Sequence, residues 1–200
     1  IKLPIANTAS YSTQRSFFVT WRHSQDPKAN PNSTFMANVN AGGSKYYTYN
    51  SYDPGQFLSN TFQSSVSFTH NFPQTPFHLT IDGQHSQNTI THQVQVSLPD
   101  VALTTDRLYP AKLFESNPAL STGKWYNNIS LSLSTTASNR INTYDSLIFR
   151  QQTLKQMQNG INTSVPISGS FHLFKYFSFT TSFNFSSIDY FQTVRKTWNY

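Results

Sequence analysis

Long runs of strict two-residue alternation constrain this chain more than any other feature of its sequence. In Phe62-Gln63-Ser64-Ser65-Val66-Ser67-Phe68-Thr69 the even positions are mostly apolar and the odd ones small and polar. Phe77, Leu79, Ile81 and Gly83 interleave with His78, Thr80, Asp82 and Gln84, and Val94, Val96 and Leu98 with Gln93, Gln95 and Ser97. The same rhythm returns at Ile129, Leu131 and Leu133, and again at Phe177, Phe179, Thr181, Phe183 and Phe185. A period of two places alternate side chains on opposite faces of a pleated strand. No helical period competes over comparable lengths.

The pattern predicts eight strands, near 14–24, 33–43, 60–72, 75–86, 90–105, 124–138, 160–172 and 176–192. Most are ten residues or longer, whereas strands of soluble proteins average about five or six. A tilted strand of roughly 9–11 residues is what the hydrocarbon layer demands. Length and alternation together predict an all-β fold, an antiparallel transmembrane barrel of the outer-membrane kind. The eight strands form a single segment, residues 1–200, with no separate second domain, and are too few for a large barrel. Taken alternately, the connections fall into two sets: 25–32, 73–74, 106–123 and 173–175, then 44–59, 87–89 and 139–159. Short turns belong to the periplasm and long loops to the outside, which places the second set outside the cell, although 106–123 breaks the rule. Gln151 to Gln158 has the composition of a short loop helix.

Composition decides between this wall and a soluble sandwich, β-helix or adhesin stalk. A soluble sheet needs Lys and Glu on its exposed face for solubility and to guard its edges. Charged residues are only 11% of this chain, against about 25% in typical globular proteins, and the polar face runs nearly uncharged for ten residues at a time. A closed wall has no edge to guard. Mean hydropathy is −0.48, and no stretch reaches the eighteen or so apolar residues of a membrane-crossing helix. Any span must therefore be a barrel. The chain has no cysteine, which excludes disulfides and thiolate metal sites. It opens at Ile1 without an initiator Met or a signal sequence, as a processed chain or an excerpt does.

Aromatic residues cluster near strand ends, at Tyr46, Tyr47 and Tyr49, at Tyr109, at Trp125 with Tyr126, and at Tyr190 with Phe191. They suit either an interfacial girdle or plain loop packing. Chemistry is harder to find. His23, His70, His78, His85, His92 and His172 lie in different segments without metal-ligand spacing, and no elbow singles out a nucleophilic serine. Asp26, Asp53, Asp100, Asp106 and Asp145 fall mostly in turns, and Gly42-Gly43 reads as a turn. No catalytic residue, metal or cofactor is expected, nor any enzymatic activity. Sequons at Asn32, Asn128, Asn162 and Asn184 are chance products of a Ser/Asn-rich chain. The formal charge of +6 suits an anionic partner or simple loop solvation, but the concentrated basic stripe of a nucleic-acid binder is missing.

Specific strings go further than periodicity. His23-Ser24-Gln25-Asp26-Pro27-Lys28-Ala29-Asn30-Pro31 followed by Phe35-Met36-Ala37-Asn38-Val39-Asn40-Ala41-Gly42 resembles barrels of the LptD family. Thr75-Pro76-Phe77, then His85-Ser86-Gln87-Asn88-Thr89 and Ser97-Leu98-Pro99, and Arg107-Leu108-Tyr109-Pro110 are similar to it in the same order. So are Thr143-Tyr144-Asp145-Ser146-Leu147 and Tyr190 through Trp198. The resemblance spans nearly the whole chain. It implies insertion of lipopolysaccharide into the outer leaflet of a Gram-negative outer membrane. The implied partners are lipopolysaccharide, outer-membrane lipids, a periplasmic lipopolysaccharide bridge and an LptE-like lipoprotein plug. It also implies a jelly roll and a far larger barrel, so that this chain covers part of the wall. Arg22, Lys28, Arg107 and Lys112 are the residues expected to meet phosphorylated lipid or saccharide. A passive porin or nutrient-uptake barrel, and an outer-membrane hydrolase, are the alternatives.

Overall fold

The computed structural model describes residues 2–4, 11–13, 17–43, 45–57, 61–113, 125–148, 150–174 and 176–192. Two three-residue strands that the alternation does not predict, β1 (Lys2–Pro4) and β2 (Tyr11–Thr13), pair with each other. All the rest of the β-structure is one antiparallel sheet of nine strands. Its members are β3 (Phe18–Ser24), β4 (Ser33–Gly42), β5 (Thr61–Asn71), β6 (Phe77–Asn88), β7 (Gln93–Thr105), β8 (Ser130–Leu131), β9 (Ser134–Tyr144), β10 (Gln158–Leu173) and β11 (Phe177–Tyr190). Each long strand pairs with the one before it and the one after it, and β3 and β11 form the two open edges. Residues 14–16, 60 and 124 of the expected strands lie outside the described residues.

The strand expected at 124–138 is displaced to 130–144, and Trp125–Asn128 is a single 3₁₀ turn. β8 and β9 are two parts of one strand. Leu131 faces Ile167 and Ser134 faces Ser164, so the register carries through the gap. The gap lies against Pro166, whose carbonyl accepts from Ser132 N at 3.2 Å but whose ring nitrogen has no hydrogen to return. The pattern Ile129, Leu131, Leu133 is real, but the strand continues past it through Ala137 to Ile141.

A bulge in β7 changes the phase of the pattern. Asp82 and Gln84 of β6, two residues apart, face Asp100 and Ser97, three apart. β9 shows the same surplus, with Ala137 and Arg140 facing Val101 and Ser97. One extra residue therefore sits in β7 at Leu98-Pro99, and a bulge is one of the few interior places where a sheet admits proline. Val94 and Val96 share a face with Val101 and Leu103 because of it.

Among the described residues, four short helices lie in the connections: α1 (Tyr46–Asn50), α2 (Pro54–Phe57), α3 (Pro110–Leu113) and α4 (Gln151–Leu154). Only α4 matches an expected helix. None is long and apolar enough to cross a membrane, which says nothing of strands. The sheet has almost no interior. Ala37, Phe62, Val94 and Ile141 are the buried apolar residues among those described, while Phe177, Phe183, Phe185 and Trp21 stand open. Among the described residues it is a single layer with two different surfaces.

Candidate functional site

Register decides what each surface carries, because partners across a ladder share a face. On one face Phe35, Phe68, Ile81, Val101, Ala137 and Ile161 are successive partners across six strands. On the opposite face a second line runs unbroken across seven strands: Arg22, Asn38, Ser65, Gln84, Ser97, Arg140 and Gln158. Every member bears hydrogen-bonding groups. A parallel line beside it consists of Gln63, Ser86, Gln95 and Asn142. Between them the two lines floor a hollow of about 620 Å³. The alternation of apolar and polar residues along each strand produces both surfaces at once.

Charge on the polar face is sparse. Asp82 and Asp100 face each other across β6 and β7. Asp100 is occupied locally, since Ser97 Oγ donates to its Oδ2 at 2.5 Å and Asn139 N to its Oδ1 at 3.3 Å. Arg22 and Arg140 form no ion pair among the described residues; the two recorded pairs are His78–Asp106 and His92–Asp145. Both guanidiniums are exposed on the polar face.

The structure places the expected contact residues unequally. Arg22 lies in the seven-residue line. Lys28, Arg107 and Lys112 lie off it, all at the end of the sheet that holds the turns 25–32 and 72–76. Lys28 N is held by Asp26 Oδ1 at 2.9 Å in a turn, and Lys112 Nζ rests 4.6 Å from the centre of the Tyr109 ring. Arg140 was not expected at all. Ending the strand at 138 put it in a loop, although the sequence Ser134 to Tyr144 is polar enough to hide any alternation. The signal that finds it is its neighbour, because a strand starting at Gln158 needs a partner of matching length.

The aromatic clusters divide as well. Tyr46 of α1 stacks against Phe18 at 4.9 Å, and Tyr47 meets Phe18 and Phe62 with tilted rings, each at 5.3 Å. That is loop packing. Burial, with the Tyr46 ring beside it, raises the Tyr47 hydroxyl above its ordinary pKa. Trp125 stands exposed against Phe171 at 6.5 Å, beside the Phe171–Phe179 stack. Tyr190 and Phe191 are exposed at the other end of β11. The side chain of Tyr49 lies outside the described residues, as do Arg195 and Lys196.

No group of three or more His, Cys, Asp or Glu side chains suited to a metal occurs among the described residues. Ser33 Oγ meets His70 Nδ1 at 2.7 Å, yet no carboxylate pairs with that ring among them. A family model described as LptD protein matches residues 2–200. No curated protein matches the chain, and no solved structure does.

Proposed function

The chain belongs to the LptD family, and from that premise we propose that its sheet is a length of outer-membrane barrel wall in a lipopolysaccharide translocon. The observation that carries this reading is the bare apolar face. Phe183 is 64% exposed and Phe177 60%, both on the 14-residue β11 that pairs with the 16-residue β10, with no second layer over them among the described residues. Water would penalise such a surface by about 25 cal/mol per Å², and lipid removes the penalty. The opposite face suits a wet lumen. The β11 edge fits a wall that continues: β11 carries no charge from Phe177 to Ile188, and an edge left free in water needs one.

In this reading lipopolysaccharide, an LptE-like lipoprotein plug and a periplasmic bridge are the partners, and the chain has no catalytic role. Depletion of the protein in cells should remove newly made lipopolysaccharide from the surface, scored by antibody on intact cells. Normal surface display after depletion would sink the proposal. A passive pore is the second reading, favoured by the polar hollow. It predicts that depletion slows the entry of small hydrophilic solutes while lipopolysaccharide display stays intact.

A further inference from the structure

Two histidines stand on the apolar face, each the penultimate residue of its strand at the end that holds the turns 25–32 and 72–76. His70 of β5 lies between Phe68, stacked with it at 6.4 Å, and Phe72, nearly perpendicular to it at 4.6 Å. His23 of β3 lies between Trp21 at 6.2 Å and Phe35 at 5.5 Å. Phe35 and Phe68 are cross-strand partners, which sets the two groups side by side. Aromatic rings alone would make an ordinary interfacial belt. The imidazoles make a demand that rings do not.

Ser33 Oγ, directly across from His70 in β4, meets its Nδ1 at 2.7 Å. With the hydroxyl donating to Nδ1, the ring's own proton sits on Nε2, for which no acceptor occurs among the described residues. An unmet donor on a lipid-facing surface is costly. The turn that leads into Ser33 also carries Lys28, which forms no ion pair among the described residues. Asp26, the one carboxylate of that turn, accepts from Lys28 N at 2.9 Å. A lysine stem lies readily along apolar surface with its ammonium at headgroup depth. Donor and cation at one strand end suit a phosphate.

We propose that the Ser33–His70 pair, framed by Phe68 and Phe72, is a fixed seat for one phospholipid with an anionic headgroup, in the leaflet at this end of the sheet. The inference rests on the wall reading given above. His70 Nε2 donates to the phosphodiester, Lys28 provides the countercharge, and the acyl chains run along Phe68 and its partner Ile81. Ser33 is a positioning residue, because its hydroxyl decides which ring nitrogen carries the proton.

Native mass spectrometry of the purified protein in mild detergent tests this by titration with three lipids of identical chains: phosphatidylglycerol, phosphatidylcholine and diacylglycerol. The first phosphatidylglycerol should bind about tenfold tighter than diacylglycerol, the worth of one charge-assisted hydrogen bond. His70→Phe keeps a ring, loses the donor and should bring phosphatidylglycerol to the level of diacylglycerol. His70→Gln keeps a donor and should retain part of the difference. Lys28→Gln should erase the preference for phosphatidylglycerol over phosphatidylcholine while both stay above diacylglycerol. Equal binding of the three lipids by the parent would leave an unselective belt and overturn the seat. So would a His70→Phe variant that binds like the parent. Excess inorganic phosphate should leave lipid binding unchanged; displacement by it would make this a site for the free ion and sink the proposal. Unchanged circular dichroism certifies that each variant is folded. Insertion into vesicles is scored separately: a protein that inserts without the preference keeps the wall and loses the seat, and one that fails to insert loses both.

Discussion

Single residues do most of their work here at turns and close approaches. The string His23 to Pro31, noted for its resemblance, is a hairpin whose side chains replace backbone bonds. Gln25 Nε2 donates to Ser33 O at 3.2 Å while its Oε1 accepts from Phe35 N at 3.1 Å, and Asp26 holds the next bend. Such jobs are legible because turns need particular residue types. Crowding is not legible. At Gly42 an added Cβ would meet the Phe17 carbonyl oxygen and Phe18 Cδ2 at 3.0 Å, and the first of these is backbone. At Gly169 it would meet Ile129 Cγ1 at 3.4 Å, an ordinary contact. Gly42→Ala should therefore lower stability by about 1–3 kcal/mol, and Gly169→Ala should change it little. Urea midpoints of the vesicle-inserted protein measure both. The expected contact residues fared according to the same logic. Arg22 could be placed because its strand was, whereas Lys28, Arg107 and Lys112 sit in connections whose paths depend on local bonds.

At the scale of strands the sequence was nearly transparent wherever both faces were marked. β5, β6, β10 and β11 lie within two residues of expectation at each end, since Phe, Val, Ile and Leu alternate with Ser, Thr and Asn throughout. β9 was displaced because Ala137 is the one apolar residue from Ser134 to Asn139, and because Pro166 interrupts its ladder with β10. The slip in β7 was visible and went unread: apolar residues are even at Val94 and Val96 but odd at Val101 and Leu103. Only an inserted residue reconciles the two. Deleting Pro99 should leave every side chain of β7 on its present face and give a folded protein. Deleting Ala102 must either turn Leu103 toward the polar face or turn Asp100 toward the apolar one. Heat-modifiable migration of the protein on gels separates the outcomes; equal behaviour of the two deletions would refute this account of the bulge.

At the scale of the whole molecule, the proposal of a wall between two unlike media has a two-sided test. Phe183 and Ser182 are neighbours on β11, both exposed, and they face opposite ways. In a bilayer Phe183→Arg should cost about 2–4 kcal/mol if it lies near the midplane, while Ser182→Arg stays within about 0.5 kcal/mol of the parent. A sheet surrounded by water on both sides would tolerate both. Folding titrations into lipid vesicles decide the matter. The alternation foretold the two unlike faces of the sheet, because it runs through most of the long strands. It could not foretell the unbroken polar line, which exists only once the register of seven strands is fixed.

In the language of crystals, the extra residue at Leu98-Pro99 is an edge dislocation: an added half-row that ends inside the lattice. No exchange of one side chain for another can heal such a defect, because it is a matter of count and not of chemistry. It can only be annihilated by a deletion, or shifted along the strand by an insertion matched with a deletion. Redesign of this sheet by substitution alone will therefore keep its bulge in β7, whatever else it changes.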